Sequence, residues 1–285
     1  MHQSALAAAA VTLDTQPETN QMIDWIFRYS ELTTVSNTGG EVNRILVNEV
    51  SRDGQGTESS PTYNRGWINN LTDAAAILAR YPEYDGMDIY GNPKYIGMLQ
   101  SFPYMTILRR GVPQIGDSGS YAGYGLLPDK DHIMVDGFKY TRDTNPEAAK
   151  EIAQHMYFVK GGNLDGIHYD IWTRNPESIA DEVEEIIDTY GEWDYDKSTA
   201  LTGYGLNILR GGTLYESSGT DVMRDTQRDF WIYYGGAKSH RKNDTLTLGV
   251  DAYGISISSG LGYPEDTGSD PNRVQWQNAT LSHNT

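Results

Sequence analysis

Residues 238–252 read Lys-Ser-His-Arg-Lys-Asn-Asp-Thr-Leu-Thr-Leu-Gly-Val-Asp-Ala, a cationic run that leads directly into regularly spaced apolar side chains. From Leu246 to Ala252 the apolar side chains recur at every second position, which is the period of a β-strand. Tyr253-Gly254 then gives a turn before a second alternating segment at 255–257. The stretch therefore predicts a pair of antiparallel strands that begins beside a cluster of positive charge.

Upstream of about residue 195 the apolar residues instead recur at intervals of three and four, the period of an α-helix. Helices are predicted at 3–13, 22–29, 41–52, 71–80, 93–108, Pro146–Val159 and Pro176–Tyr190. The last two follow Asn-Pro, in which asparagine caps the helix and proline fits its first turn. Long loops rich in Gly, Asp and Tyr separate several of these helices, and such loops commonly carry function.

These two patterns predict an α+β multidomain protein, with a helical domain at 1–197 and an antiparallel β-domain at 198–285. Alternating residues predict further strands at 206–210 and 230–234. So few strands do not complete a β-sandwich, which needs about seven. We therefore expect the helical domain to be truncated at its N-terminus and the β-domain at its C-terminus.

The composition excludes several classes of function. The 285 residues include 39 acidic and 22 basic side chains, a formal net charge of -17, so nucleic acid is not an expected partner. No run approaches the roughly 18 apolar residues of a membrane span. Because the chain has no cysteine, it has neither disulfides nor thiolate zinc ligands. Its 20 tyrosines and 6 tryptophans supply flat rings that suit stacking on sugars.

In so acidic a chain, the cationic run around His240 is the strongest candidate for a ligand site. Lys238, Arg241 and Lys242 flank a side chain that titrates near neutral pH. This arrangement favours an anionic ligand with acid/base chemistry beside it. The alternative is a solvated start of a strand with ordinary surface cations.

Several ordered elements of the sequence carry a resemblance to a known family. A glycine-rich strand ending in Leu-Arg at 203–210 is followed by His-Arg-Lys-Asn-Asp-Thr-Leu at 240–246, Gly-Tyr at 262–263 and His-Asn-Thr at 283–285. In this order they resemble the heparinase II/III-like polysaccharide lyases. The segment Glu-Ser-Ser-Pro-Thr-Tyr-Asn at 58–64 is similar to the loop that holds the family's catalytic tyrosine, and His2-Gln3 to an Asn-His element that faces it.

The resemblance implies an incomplete (α/α) toroid of helical hairpins followed by the start of an antiparallel β-sandwich. It also implies β-elimination on a uronate-containing anionic glycan, of the heparan-sulfate or alginate type, without an obligatory cofactor. The full-length bacterial parent is then expected to be periplasmic or secreted.

Three catalytic residues are implied by this resemblance. Tyr63 would give a proton to the leaving oxygen, and His240 would act as a base on the opposite face of the sugar or would orient the tyrosine. His2 would neutralise the uronate carboxylate by hydrogen bonding. A phenol with a pKa of about 10 is a poor base, so positive charge is expected to lower the pKa of Tyr63 if it also accepts a proton.

Further side chains are candidates for binding the glycan. The primary set is Asn64, Arg65, Trp67, Arg241 and Lys242, and the secondary set is Arg109 and Arg110.

Relatives that hold zinc in the sandwich use three ligands, and this sequence has Lys242, Gly260 and His283 at those places. One imidazole among three positions does not hold zinc, so we expect no zinc there and Lys242 in the vacated space as a fixed positive charge.

Two other functions compete with the lyase. A glycoside hydrolase on the same toroid needs two facing carboxylates, for which Glu58, Asp85, Asp88 and Asp117 are candidates. A non-catalytic glycan-binding protein would keep the scaffold and lose the chemistry.

Overall fold

A computed structural model describes residues 2–27, 41–86, 88–119, 131–167, 176–212, 226–236, 239–258, 260–263 and 269–283. Within these ranges, α-helices come first and an antiparallel sheet follows. The helices are α1 His2–Leu13, α2 Glu18–Phe27, α3 Glu41–Asn48, α4 Pro61–Ala79, α5 Pro93–Tyr104, α6 Asp131–Thr141, α7 Pro146–Val159 and α8 Pro176–Tyr190.

The chain forms two compact units. The helical unit comprises Met1–Gly54, Gly66–Gln100 and Lys130–Trp193, and the sheet unit comprises Gln55–Arg65, Ser101–Asp129 and Asp194–Thr285. The helical unit ends at Trp193, and the domain boundary expected at 197 stays a prediction. Two segments from the helical half of the sequence nevertheless belong to the sheet unit, and one of them carries Tyr63.

Within the helical unit, consecutive helices pack against each other, α1 on α2, α6 on α7 and α7 on α8. Asn145 caps α7 as predicted, since its side chain accepts a hydrogen bond from the Ala148 amide at 3.2 Å and Pro146 begins the helix. Apolar side chains on α7 face inward, among them the fully buried Ile152. No helix in the described ranges is long and apolar enough to cross a membrane.

The start of α4 differs from the sequence-based expectation. The predicted helix begins at 71, whereas α4 begins at Pro61, so Tyr63 lies in its first turn and not in a loop. Ser60 precedes this proline, and its hydroxyl accepts a hydrogen bond from the Tyr63 amide at 3.4 Å. Serine before a first-turn proline is a strong local helix start, and the apolar period does not report it.

The sheet has the order β1-β2-β3-β4-β5, with every neighbouring pair antiparallel. The strands are β1 Thr199–Leu201, β2 Leu206–Gly211, β3 Arg228–Tyr233, β4 Leu248–Ala252 and β5 Ile255–Ser258. One face packs on a buried cluster formed by Met105, Ile107, Val112, Ile115, Leu201, Tyr204, Leu206, Ile208, Trp231 and Tyr233.

The alternation in β4 locates the strand but not its buried face. Leu248 is 38% exposed, and Leu246 lies before the strand with a φ of +72°. The buried face of β4 instead carries Gly249 and Asp251, because Trp231 on β3 lies directly across from Gly249. Its indole nitrogen donates a hydrogen bond to the Asp251 carboxylate at 2.9 Å.

The Gly249→Ala variant tests this packing. An added Cβ would overlap the indole of Trp231, which has no exposed surface. We expect the free energy of unfolding to fall by about 1–3 kcal/mol, as for other overpacked cores. Urea unfolding followed by tryptophan fluorescence measures the change. Gly211→Ala is the control, since a Cβ at Gly211 meets nothing within 4 Å. Equal unfolding midpoints for the two variants would contradict the packing.

Candidate active site

Tyr63 is held by the hydrogen bonds that fix the start of α4. The Ser60 and Ser118 hydroxyls lie 2.7 Å apart, and the Ser118 hydroxyl also accepts a hydrogen bond from the Thr62 amide at 3.3 Å. Ser60 and Ser118 are both buried. Ser118 therefore anchors the helix that carries Tyr63.

His240 is held by a tight loop on the other side of the site. The His240 carbonyl accepts a hydrogen bond from the Asp117 amide at 3.1 Å, and a Cβ at Gly116 would overlap that carbonyl. The Gly116 amide donates to the Asp244 carboxylate at 2.6 Å. His240 itself has a φ of +44°, an uncommon value for a residue other than glycine, and such backbones concentrate at functional sites.

Glu58 sets the protonation pattern of the imidazole. Its backbone pairs with Ser239, and one carboxylate oxygen lies 2.8 Å from Nδ1 of His240. An ionised carboxylate only accepts hydrogen bonds, so in the neutral imidazole the hydrogen is on Nδ1 and the lone pair is on Nε2. The Ser239 hydroxyl lies 3.2 Å from the same Nδ1. This arrangement leaves Nε2 as the proton acceptor of the ring.

Asn64 holds Glu58 and does not reach solvent. The side chain is 1% exposed. Its amide nitrogen donates to the Glu58 carbonyl at 3.0 Å, and its amide oxygen accepts from the Glu58 backbone amide at 3.3 Å. Asn64 was predicted to bind substrate, and in this geometry it positions Glu58 instead.

The rings of Tyr63 and His240 stack face to face. Their centroids are 3.5 Å apart and their planes differ by 7°. This separation is van der Waals contact, so no sugar fits between the two faces. The stacked geometry therefore does not provide the opposite-face arrangement expected for His240.

The Tyr63 phenol is held in its protonated form. It donates a hydrogen bond to the Tyr263 hydroxyl at 3.4 Å. This bond, followed by burial and the Asp117 carboxylate, raises the pKa of Tyr63 to about 12, against the opposing effect of Arg273. The expectation that positive charge lowers this pKa is wrong for this arrangement. At neutral pH the Tyr63 phenol can give a proton but does not accept one.

Lys242 is an internal cation. The side chain is 4% exposed, and its ammonium donates a hydrogen bond to the Gly262 carbonyl. Burial lowers the pKa of Lys242 to about 8, although the Asp117 and Asp244 carboxylates act in the opposite direction. Lys242 therefore places an ammonium group in the interior of the sheet unit.

The residues at the zinc positions of the resembling family do not fit a zinc ion. Lys242 is an ammonium donor there, Gly260 has no side chain, and a Cβ at Gly260 would overlap the Gln114 carbonyl. His283 is engaged through Nε2, 3.1 Å from the Gln277 carbonyl. No chemistry is assigned to a metal here, and the expectation of a zinc-free protein stays a prediction.

The other predicted residues are dispersed. Arg65 is half-buried on α4, and Arg241 is exposed. Arg109 and Arg110 have contacts inside the sheet unit, with Asp196 at 3.8 Å and the Gly254 carbonyl at 2.7 Å respectively. Trp67 and His2 belong to the helical unit. The His2 side chain and all of Lys238 lie outside the described residues.

Two residues that contact the catalytic candidates received no such role from the sequence. Glu58 was considered only as a hydrolase carboxylate, and Tyr263 only as half of the Gly-Tyr pair. Both residues lie within the short segments that carried the resemblance. Membership of those segments was the signal in the sequence that could have assigned them to the site.

Solved structures with the same fold were found. Heparan sulfate lyase HepC from Pedobacter heparinus matches with a TM-score of 0.59 and 17% identity, over 99% of this chain and 36% of its own. A mutant of that lyase gives a TM-score of 0.61 at 16% identity. Heparinase III matches with a TM-score of 0.60 and 15% identity, over 99% of this chain and 37% of its own.

The fold is that of part of heparinase III. The chain spans 36% of the first of these structures, so the activity of the longer proteins does not follow from the match. No protein-family model matches the sequence. No curated protein matches it either.

The Lys242→Met variant tests the buried ammonium through pH. The pKa of Lys242 is about 8 in the folded protein and 10.5 ordinarily, so between these values the unfolded chain binds more protons. The contribution of Lys242 to the free energy of unfolding therefore rises with pH in this window. We expect wild type to gain stability relative to Lys242→Met between pH 8 and about 10 in urea titrations.

Lys197→Met is the control for this titration, because the Lys197 side chain is 79% exposed. The difference in free energy of unfolding between wild type and Lys197→Met should not change over the same pH range. Parallel profiles for the two variants would show that Lys242 titrates like a surface lysine.

Proposed function

We propose that this protein is a polysaccharide lyase that cleaves a uronate-containing anionic glycan by β-elimination. The observation that carries the proposal is the stacked pair of Tyr63 and His240, with Glu58 on Nδ1 of the imidazole. The pair combines a protonated phenol and an available imidazole nitrogen at one place. The names of the solved structures with this fold, heparinase III and heparan sulfate lyase, support the same chemistry.

The reaction needs a base and an acid, which these two side chains supply. Nε2 of His240 takes the proton from the carbon beside the uronate carboxylate. The electron pair of that C–H bond forms a carbon–carbon double bond, and the glycosidic C–O bond breaks with its pair on oxygen. Tyr63 donates its proton to this leaving oxygen. The proton on His240 then returns to Tyr63 through solvent.

The stacking also bears on the stereochemistry of the elimination. Because both rings meet the ligand from one side, the abstracted proton and the leaving oxygen are expected on the same face of the sugar ring. The proposed reaction is therefore a syn elimination.

His2 stays our candidate for neutralising the uronate carboxylate, and the full-length parent is proposed to act in the periplasm or outside the cell.

Hydrolysis is the less favoured chemistry for these residues. It needs two carboxylates across one glycosidic bond. In the sheet unit, Glu58 is bound to His240 and the Asp117 carboxylate lies 3.4 Å from the Arg273 guanidinium. Both carboxylates are therefore already engaged.

Tyr63→Phe and His240→Ala test the acid and the base. Each should lower kcat/KM by at least about a hundredfold, the lower end of general acid–base contributions. The assay follows the ultraviolet absorbance of the unsaturated product with heparan sulfate, alginate and hyaluronan. Tyr157→Phe on α7 serves as the control for loss of a phenol.

Near-wild-type rates in both variants would reject these roles. New reducing ends without an absorbance rise would indicate hydrolysis. Glycan binding that survives Tyr63→Phe, without turnover by wild type, would indicate a non-catalytic binding protein.

Glu58→Gln and Glu58→Ala test the positioning of His240. Glutamine keeps an oxygen that can accept the Nδ1 hydrogen, whereas alanine leaves that hydrogen without its acceptor. We expect kcat to fall by about tenfold or more in Glu58→Ala, with KM within twofold of wild type and partial recovery in Glu58→Gln. The ¹⁵N shifts of the imidazole should report a single Nδ1–H tautomer in wild type and a mixture in Glu58→Ala.

Glu185→Ala, on the exposed side of α8, is the charge-matched control and should change neither measurement. A single unchanged tautomer in Glu58→Ala would remove the positioning role.

A further inference from the structure

A polar cleft of about 290 Å³ lies in the sheet unit, and two of its lining residues are neighbours in sequence of Glu58 and His240. Its walls are formed by Ser59, Gly235, Gly236, Arg241, Lys242, Asn243, Thr245 and Thr280. Ser59 follows Glu58 in the chain, and Arg241 follows His240. The cleft is therefore continuous in sequence with both sides of the proposed active site.

The charge of the cleft is opposite to that of the chain. The described lining includes two cations, Arg241 and Lys242, and no acidic side chain. The whole sequence has a formal net charge of -17. In such a chain, a lining with an exposed arginine and no acidic side chain attracts anions that the rest of the surface repels.

The Arg241 side chain is exposed, so a ligand can reach its guanidinium. Among the described residues, its guanidinium has no hydrogen bond or ion pair with another side chain. Arg142, by contrast, lies 2.5 Å from Glu182, and Arg273 lies 3.4 Å from Asp117. A guanidinium has five donors in a fixed plane, which matches the oxygens of sulfate and carboxylate groups.

The remaining walls are also suited to oxygen-rich groups. Asn243, Thr280 and Ser59 provide side chains that donate hydrogen bonds. Gly236 leaves space, since a Cβ built on it meets nothing within 4 Å. The volume of the cleft is close to the lower end of typical ligand-pocket volumes, about 300 Å³. It is therefore large enough for one substituted sugar and not for a chain of them.

We propose that this cleft binds a sulfate or carboxylate group on the sugar next to the one at which the glycosidic bond is cleaved. The inference rests on the proposed lyase function and adds a preference for glycans with charge on both neighbouring sugars. Charge-assisted hydrogen bonds from Arg241 supply the recognition. Lys242 is nearly buried and its ammonium donates to the Gly262 carbonyl, so Arg241 is the cation that meets the ligand.

Arg241→Gln tests the anion preference with three polymers. The first alternates uronate with an unsulfated neutral sugar, the second is its sulfated counterpart, and the third is a polyuronate. We expect kcat/KM to fall at least tenfold on the second or third polymer and to stay within twofold on the first. Loss on the sulfated polymer alone identifies sulfate, and loss on the polyuronate identifies carboxylate.

Arg228→Gln removes the same charge from the far end of β3 and should leave all three rates unchanged. An equal loss on all three polymers, or no loss on any, would overturn the proposal.

Gly236→Val tests the space independently of charge. The methyl groups of valine would enter the open cleft. We therefore expect kcat/KM of Gly236→Val to fall at least tenfold on the same polymers for which it falls in Arg241→Gln. Gly211→Val is the matched control, because a Cβ at Gly211 also meets nothing within 4 Å. Full activity of Gly236→Val on every polymer would contradict an occupied cleft.

Calorimetric binding separates this inference from the lyase proposal. Oligosaccharides from the three polymers are titrated into Tyr63→Phe, with and without Arg241→Gln. If Arg241→Gln weakens binding only of oligosaccharides that carry charge on the neighbouring sugar, the result supports the cleft proposal. This holds even if wild type shows no elimination. If wild type cleaves uronate polymers but Arg241→Gln leaves this binding unchanged, the cleft proposal fails and the lyase proposal stands.

Discussion

The contact between the Glu58 carboxylate and the His240 imidazole is the constraint on which the rest of the site depends. It joins residues 182 positions apart at 2.8 Å. Backbone pairing makes this possible, because Glu58 pairs with Ser239 and the Ser59 amide donates to the Ser239 carbonyl at 3.0 Å. Once the segment before α4 is fixed to Ser239, the imidazole plane of the next residue is set. The first turn of α4 then brings the Tyr63 ring onto that plane.

The cations of the site divide into two kinds by burial. Lys242 is inside the protein, where burial disfavours its charge and lowers its pKa, and its ammonium is compensated by the Gly262 carbonyl and nearby carboxylates. Arg241 is the preceding residue but is exposed, so its guanidinium can meet a ligand while Lys242 stays inside the sheet unit.

Local signals in the sequence predicted the features that depend on short-range interactions. The bounds of α7 and α8 agree with the prediction, and at α7 the capping Asn145 and the first-turn Pro146 show why, since both act within one turn. The start of α4 was missed although Ser60-Pro61 is a signal of the same kind, since apolar spacing alone placed it at 71. The β4 alternation was real, but the size of Trp231 on the neighbouring strand decided which face is buried.

The sequence by itself determined that helices precede strands, since the two periods follow from residue types at short spacings, and its resemblance to a known family made Tyr63 and His240 catalytic candidates. Only the tertiary structure decided that their rings stack, that Glu58 holds the imidazole and that Asn64 supports Glu58. Those contacts join the 58–64 segment to residues 239–240, and no periodicity encodes a distance between segments so far apart. It also decided that the Tyr63 phenol stays protonated, because its pKa depends on the hydrogen bond to Tyr263 and on burial more than on the cations beside it in the fold.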